Sequence, residues 1–176
     1  FVIGKFTKSK YIHTAMIVKN PSWNSNLKGI YIIESNWENV PDAENHEIKC
    51  GVELIPIQTA LSDITEHIYW RRLHCERNEA FLQAMNDTQS IVHNRPYDFI
   101  ITDWLKAAFN IDIGNTHRKK TFWCSALVTY FYHQLGLLEN DNIPWTIISP
   151  MELGTEYPSK SLIFKNCTVD KEVQIS

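Results

Sequence analysis

The chain of 176 residues is 44% hydrophobic and 21% charged with a formal net charge of −3, values ordinary for a globular protein. It contains no run of about 18 apolar residues, which excludes a membrane-spanning helix, and its acidic balance argues against a general nucleic-acid binder. Residues 1–176 are expected to form a single domain; because the chain opens on Phe1, its N-terminus is expected to be truncated, with any targeting segment upstream.

In chain order, Phe1-Val-Ile3 looks like the tail of a strand, and His13-Thr-Ala-Met-Ile-Val-Lys19 is a second run of strand length. The turn-rich stretch Asn20–Gly29 leads into a strand over Gly29-Ile-Tyr-Ile-Ile-Glu-Ser35. Two strands joined in this way are expected to pair antiparallel. With the loop centred near Trp23 and Asn24, paired residue numbers sum to about 47 or 48, and His13 faces Glu34 or its neighbour. An imidazole and a carboxylate then lie side by side at one end of a sheet.

Trp37–Lys49 is polar and acidic and reads as an exposed loop. Gly51–Ile57 reads as a strand that Pro56 confines to an edge or an end, and His67–Leu73 as another. Helical spacing from Asn78 to about His93 predicts a helix capped by Asn78, broken at Arg95-Pro-Tyr-Asp98. Asp103 can cap a short helix through Phe109. Ser149-Pro-Met-Glu152 is a capping-box pattern, and Ser161–Lys165 reads as a final strand. Strands fill the first half and helices the second, which predicts an α+β fold: an antiparallel sheet or partly open barrel packed against helices.

The element that organises the rest is Thr121–Gly136. Cys124, Leu127, Val128, Phe131 and Leu135 recur at helical period as one apolar stripe, with Thr121 as the expected N-cap and Gly136 as the left-handed C-terminal cap. A thiol in the first turn of a helix meets unpaired N–H groups and the positive end of the helix dipole, both of which favour the thiolate. Nucleophilic catalysis by a thiol needs a base, and the base needs a third group to orient it. His13 and Glu34 supply those two types. The four cysteines, Cys50, Cys75, Cys124 and Cys167, contain no C-x-x-C pair, so reduced thiols and a cytoplasmic location are expected. The remaining histidines form no recognisable ligand set with them, and no metal or cofactor is expected.

Five segments in order, His13-Thr-Ala-Met-Ile-Val, Ile30-Tyr-Ile-Ile-Glu-Ser, Gly51-Val-Glu-Leu-Ile-Pro-Ile, Arg95-Pro-Tyr-Asp98 and Phe122-Trp-Cys-Ser-Ala-Leu-Val, resemble the circularly permuted papain-like hydrolases of the NlpC type. The likeness is to the bacterial YiiX-type and poxviral members and covers most of the chain. It implies a permuted papain-like fold and a cysteine hydrolase of amidase or peptidase type that works through a thioester acyl-enzyme. In that comparison Cys124 matches the nucleophile, His13 the base and Glu34 the orienting residue. Tyr97 matches an aromatic residue that lines the site or helps bind the oxyanion, and Ser125 lies beside it as a candidate substrate-binding position. The implied partner is a peptide, amide or lipid-ester substrate. A related branch, which includes lecithin:retinol acyltransferase, handles lipids, so a lipid acyltransferase or lipase is the alternative chemistry; a binding module without turnover is the alternative class.

Overall fold

A computed structural model describes residues 10–62, 64, 67–97, 122–156, 158 and 162–175. Three strands form the principal sheet, β1 (Met16–Lys19), β2 (Ile30–Pro41) and β3 (Ile48–Pro56), in that spatial order and antiparallel throughout. A short helix α1 (Ile57–Ser62) follows, then β4 (Tyr69–Trp70), β5 (Leu73–His74), helix α2 (Glu79–Val92) and helix α3 (Cys124–Gln134). Two 3₁₀ turns, Trp145–Ile147 and Pro150–Leu153, lead to β6 (Thr168–Val169) and β7 (Val173–Gln174). β6 pairs with β5 and β7 with β4, so the C-terminal segment is tied back to the middle of the chain. Among the described residues this is a mixed α/β fold with antiparallel sheets and few helices, and not a closed barrel.

β1 and β2 pair as expected from their pattern, but Met16 opposes Ile33 and Ile17 opposes Ile32, so paired numbers sum to 49 rather than 47 or 48. The ladder stops at Met16, and His13 to Ala15 run on without regular pairing. Alternation then divides the sheet. Met16, Val18, Tyr31, Ile33, Ser35, Val52 and Leu54 share one face, and most of these side chains join Leu127, Tyr130 and Phe131 of α3 in the core. Ile17, Ile32, Glu34 and Glu53 share the other.

The polar stretch Trp37–Lys49 is not an exposed loop: β2 continues to Pro41 across a register shift, and only a tight turn separates it from β3. Asp42 explains the difference. It is fully buried, and its carboxylate accepts the N–H groups of Glu44 at 2.7 Å and Leu54 at 2.9 Å while the Lys49 ammonium sits 2.9 Å away. One of the acidic residues that suggested solvent thus satisfies backbone donors inside a hairpin.

α2 forms where the periodicity places it, with the Asn78 side chain accepting the Phe81 N–H at 3.0 Å and Met85, Thr88, Gln89 and Val92 turned inward. In α3 the expected single stripe is overtaken by burial on every side, for all eight residues from Cys124 to Phe131 are buried. The 3₁₀ turn at Trp145–Ile147 and helix α2 lie against α3 along with β2, which covers the surfaces a surface helix would leave wet. Its polar residues are tied off accordingly: Ser125 donates to the Ile148 carbonyl at 2.6 Å and Thr129 to the Ser125 carbonyl at 2.8 Å. Gly136 closes the helix with φ +66°, a conformation that favours a residue without Cβ.

The strand expected over His67–Leu73 is instead the two short pieces β4 and β5, and Phe164 makes only an isolated bridge with Leu138 where a strand over Ser161–Lys165 was expected. Glu152 takes hydrogen bonds from the N–H and hydroxyl of Ser149, so the capping pattern holds a 3₁₀ turn. The expected strand at Phe1–Ile3, the short helix from Asp103 and the cap at Thr121 lie outside the described residues; the position before α3 is held by Trp123 in extended conformation.

Candidate active site

The tip of α3 is located by backbone bonds running out from β3. Val52 N–H donates to the Arg95 carbonyl at 2.8 Å, Tyr97 N–H to the Cys50 carbonyl at 3.1 Å, and Phe122 N–H to the Pro96 carbonyl at 3.2 Å. Gly51 permits this approach: a Cβ there would collide with the Arg95 carbonyl oxygen, and its φ of +153° suits glycine alone. From the other side, the Ser35 hydroxyl donates to the Phe122 carbonyl at 2.6 Å. Neighbouring residues of β2 thus serve both halves of the site, Ser35 holding the approach to Cys124 and Glu34 holding His13.

The His13 Nε2 and Glu34 Oε2 atoms are 2.6 Å apart, and the Asn36 amide donates to the same carboxylate oxygen at 3.4 Å. Glu34 is 5% exposed, so its charge lies in a poorly screened setting beside the imidazole. The Cys124 sulfur acts on His13 from the other side, through charge and hydrogen bonding that favour the imidazolium. Thiol, imidazole and carboxylate, remote along the chain, therefore form one contiguous line.

The electrostatics of that line are mutual. Burial opposes a charged imidazole, but the Cys124 thiolate and its hydrogen bond, followed by the bond and charge of Glu34, outweigh it and push His13 up to about 10. Burial likewise pushes the Cys124 thiol up. The charge and hydrogen bond of His13, together with the backbone N–H groups of Thr14 and Ser125, overcome this and hold the thiol below its ordinary range. Each shift favours the charged form, so the pair leans toward a thiolate facing an imidazolium. Cys50 and Cys167 move the other way, since burial raises both.

His13, Thr14, Glu34 and Tyr97 border a cleft of about 1770 Å³. Its wall includes Ile12, Ile17, Ile64, Trp70 and Leu82, each large, apolar and at least 41% exposed. Tyr97 thus stands at the cleft, half-buried, with its backbone bridging Phe122. Ser125 is fully buried and its hydroxyl is committed to Ile148, so what it offers the thiol is its N–H. The N–H of Thr14 is a contributor that residue type could not reveal, because a backbone donor has no sequence signature.

Among the described residues one group, Asp42, Glu44 and His93, brings three possible metal-ligand atoms within 4.8 Å of one another. The Lys49 ammonium and the turn's N–H groups already occupy Asp42, and the group belongs to the β2–β3 turn rather than to the cleft. No helix among the described residues is long and apolar enough to cross a membrane. Compared with known families, curated proteins and solved structures, the chain has no significant match of any of the three kinds.

Proposed function

We propose that the chain is a cysteine hydrolase of permuted papain-like type that cleaves an amide or ester bond through a thioester on Cys124. The observation that carries this reading is the thiol–imidazole–carboxylate line with its thiol held below, and its imidazole above, their ordinary ranges. Paired shifts of this kind assign acid and base roles. The Cys124 thiolate attacks the substrate carbonyl; the N–H groups at the start of α3 stabilise the oxyanion that forms. His13, protonated in the resting pair, gives its proton to the leaving amine or alcohol, then takes one from the water that resolves the thioester. Glu34 keeps the ring oriented and its charge favourable throughout. Tyr97 lines the approach to the carbonyl.

A second reading, hydrolysis or transfer of a lipid acyl group, draws support from the isoleucine-, leucine- and tryptophan-bearing wall of the cleft, which suits an apolar chain. One experiment separates these from a binding module. A panel of amide and acyl-ester substrates is incubated with the chain and with Cys124→Ala, and trapped species are weighed by mass spectrometry. The expected result is turnover and an acyl adduct on Cys124, absent from the variant. Binding without turnover or adduct across the panel would leave the module reading and remove the enzyme.

A further inference from the structure

Two thiols outside the site are brought together by the β5–β6 pairing. Leu73 opposes Val169 and His74 opposes Thr168, while the Asp170 N–H donates to the Arg72 carbonyl at 2.9 Å. The ladder ends at His74 and Thr168, and its register extended by one residue would set Cys75 against Cys167, whose thiol donates to the Leu137 carbonyl at 3.6 Å. Because Arg72 and Asp170 are a hydrogen-bonded pair, continued alternation would make Cys75/Cys167 the non-hydrogen-bonded kind, for which Cα atoms stand about 4.5 Å apart. That spacing lies inside the range a disulfide spans. Charge on Cys75 acts to raise the Cys167 thiol, so the two sulfurs lie within electrostatic range of each other. Both cysteines are free and half-buried, within reach of a reagent.

We propose that Cys75 and Cys167 form a reversible disulfide that fastens the C-terminal segment to the wall of the cleft. The chemistry is thiol–disulfide exchange with a small disulfide such as oxidised glutathione. One protein thiolate attacks the oxidant's S–S bond and releases one reduced thiol; the second protein thiolate then displaces the other. One S–S bond forms in the protein, one is broken in the oxidant, and the two protein thiols' electrons and protons end on two molecules of reduced oxidant. The segment being fastened matters to the cleft. Its regular pairing among the described residues is two ladders of two residues each, β5–β6 and β4–β7, beside the Leu137–Lys165 backbone bond and the Asp170 and Glu172 side-chain contacts. Leu73, Val169 and Glu172 border the same cleft as His13, and Glu172 accepts the Tyr11 hydroxyl at 2.6 Å, two residues from the imidazole. A cross-link at Cys75 spares these contacts and removes the freedom of the segment that makes them.

The test uses the full chain and Cys124→Ser, each reduced and then equilibrated in glutathione buffers of rising oxidised fraction. Remaining thiols are blocked with N-ethylmaleimide and the peptides mapped without reduction. The expected result is a Cys75–Cys167 linked peptide in both chains, with two of the three thiols lost in Cys124→Ser, and with amide exchange at Thr168 and Val169 slowed by about tenfold or more. Cys75→Ser should abolish both the link and the slowing. Full alkylation at every ratio, separate glutathione adducts on the two residues, or a link to another cysteine would overturn the pairing. A link that leaves the exchange of Thr168 and Val169 unchanged would overturn the fastening.

Discussion

Replacing His13 with alanine removes the group that outweighs burial at Cys124. The sulfur loses both a facing positive charge and a hydrogen bond and keeps only the Thr14 and Ser125 N–H groups. A thiol returned to the ordinary range near 8.5 is only about 3% ionised at pH 7, and burial lowers that further. The thiolate fraction at pH 7 therefore falls toward that few per cent. A more basic thiolate is intrinsically more nucleophilic, which returns part of the loss and leaves alkylation at pH 7 about tenfold slower. The fold should survive. Glu34 loses its partner at 2.6 Å, but the His13 side chain is 36% exposed, so water reaches the vacated place and the cost is about 1–2 kcal/mol. The assay is ultraviolet absorbance of the thiolate against pH, which needs no reagent to enter, paired with the pH profile of iodoacetamide labelling at Cys124. The rise of the profile should lie at lower pH in the unaltered chain than in the variant. Identical profiles in the two chains would refute the coupling of His13 to the thiol.

Glu34→Gln keeps a hydrogen-bonding side chain but removes the charge that helps hold His13 at about 10; the alkaline limb of the labelling or activity profile should move to lower pH, and an unmoved limb would remove Glu34 from the triad. Stability should follow the sign of the same shifts. The raised His13 stabilises fully below the unfolded histidine value and loses this as pH rises toward about 10, while the depressed Cys124 stabilises above the unfolded thiol value and loses this as pH falls. Urea midpoints compared with those of a His13→Ala/Cys124→Ala chain should therefore decline as pH rises from about 8.5 toward about 10, where the cysteine contribution is constant and the histidine contribution is being lost. Gly51→Ala should cost on the order of 3 kcal/mol in a urea titration, because the new Cβ collides with a backbone carbonyl that cannot swing away, and it should also lower activity by displacing Phe122 and the tip of α3. Asn78→Ala, which removes only the α2 cap, should cost about 1 kcal/mol and leave activity intact.

Residue pattern alone was sufficient where the determinants are local. Period 3.6 and an Asn cap place α2, β-branched alternation and a turn place β1 against β2, and glycine at a left-handed position ends α3. Because a strand's side chains alternate with period two, His13 and Glu34 could be assigned to one side of one hairpin before any coordinates, and they lie 2.6 Å apart. Composition misled where polar residues are consumed internally. Asp42 reads as solvent and is fully buried beneath backbone donors. The position of the thiol was a tertiary matter throughout. It depends on Gly51 admitting the Arg95 carbonyl, on Pro96 receiving Phe122 and on Ser35 holding the Phe122 carbonyl. These are contacts between segments dozens of residues apart, and no periodicity records them. The opposite shifts of Cys124 and His13 follow from that placement, since proximity is what lets their mutual attraction outweigh desolvation.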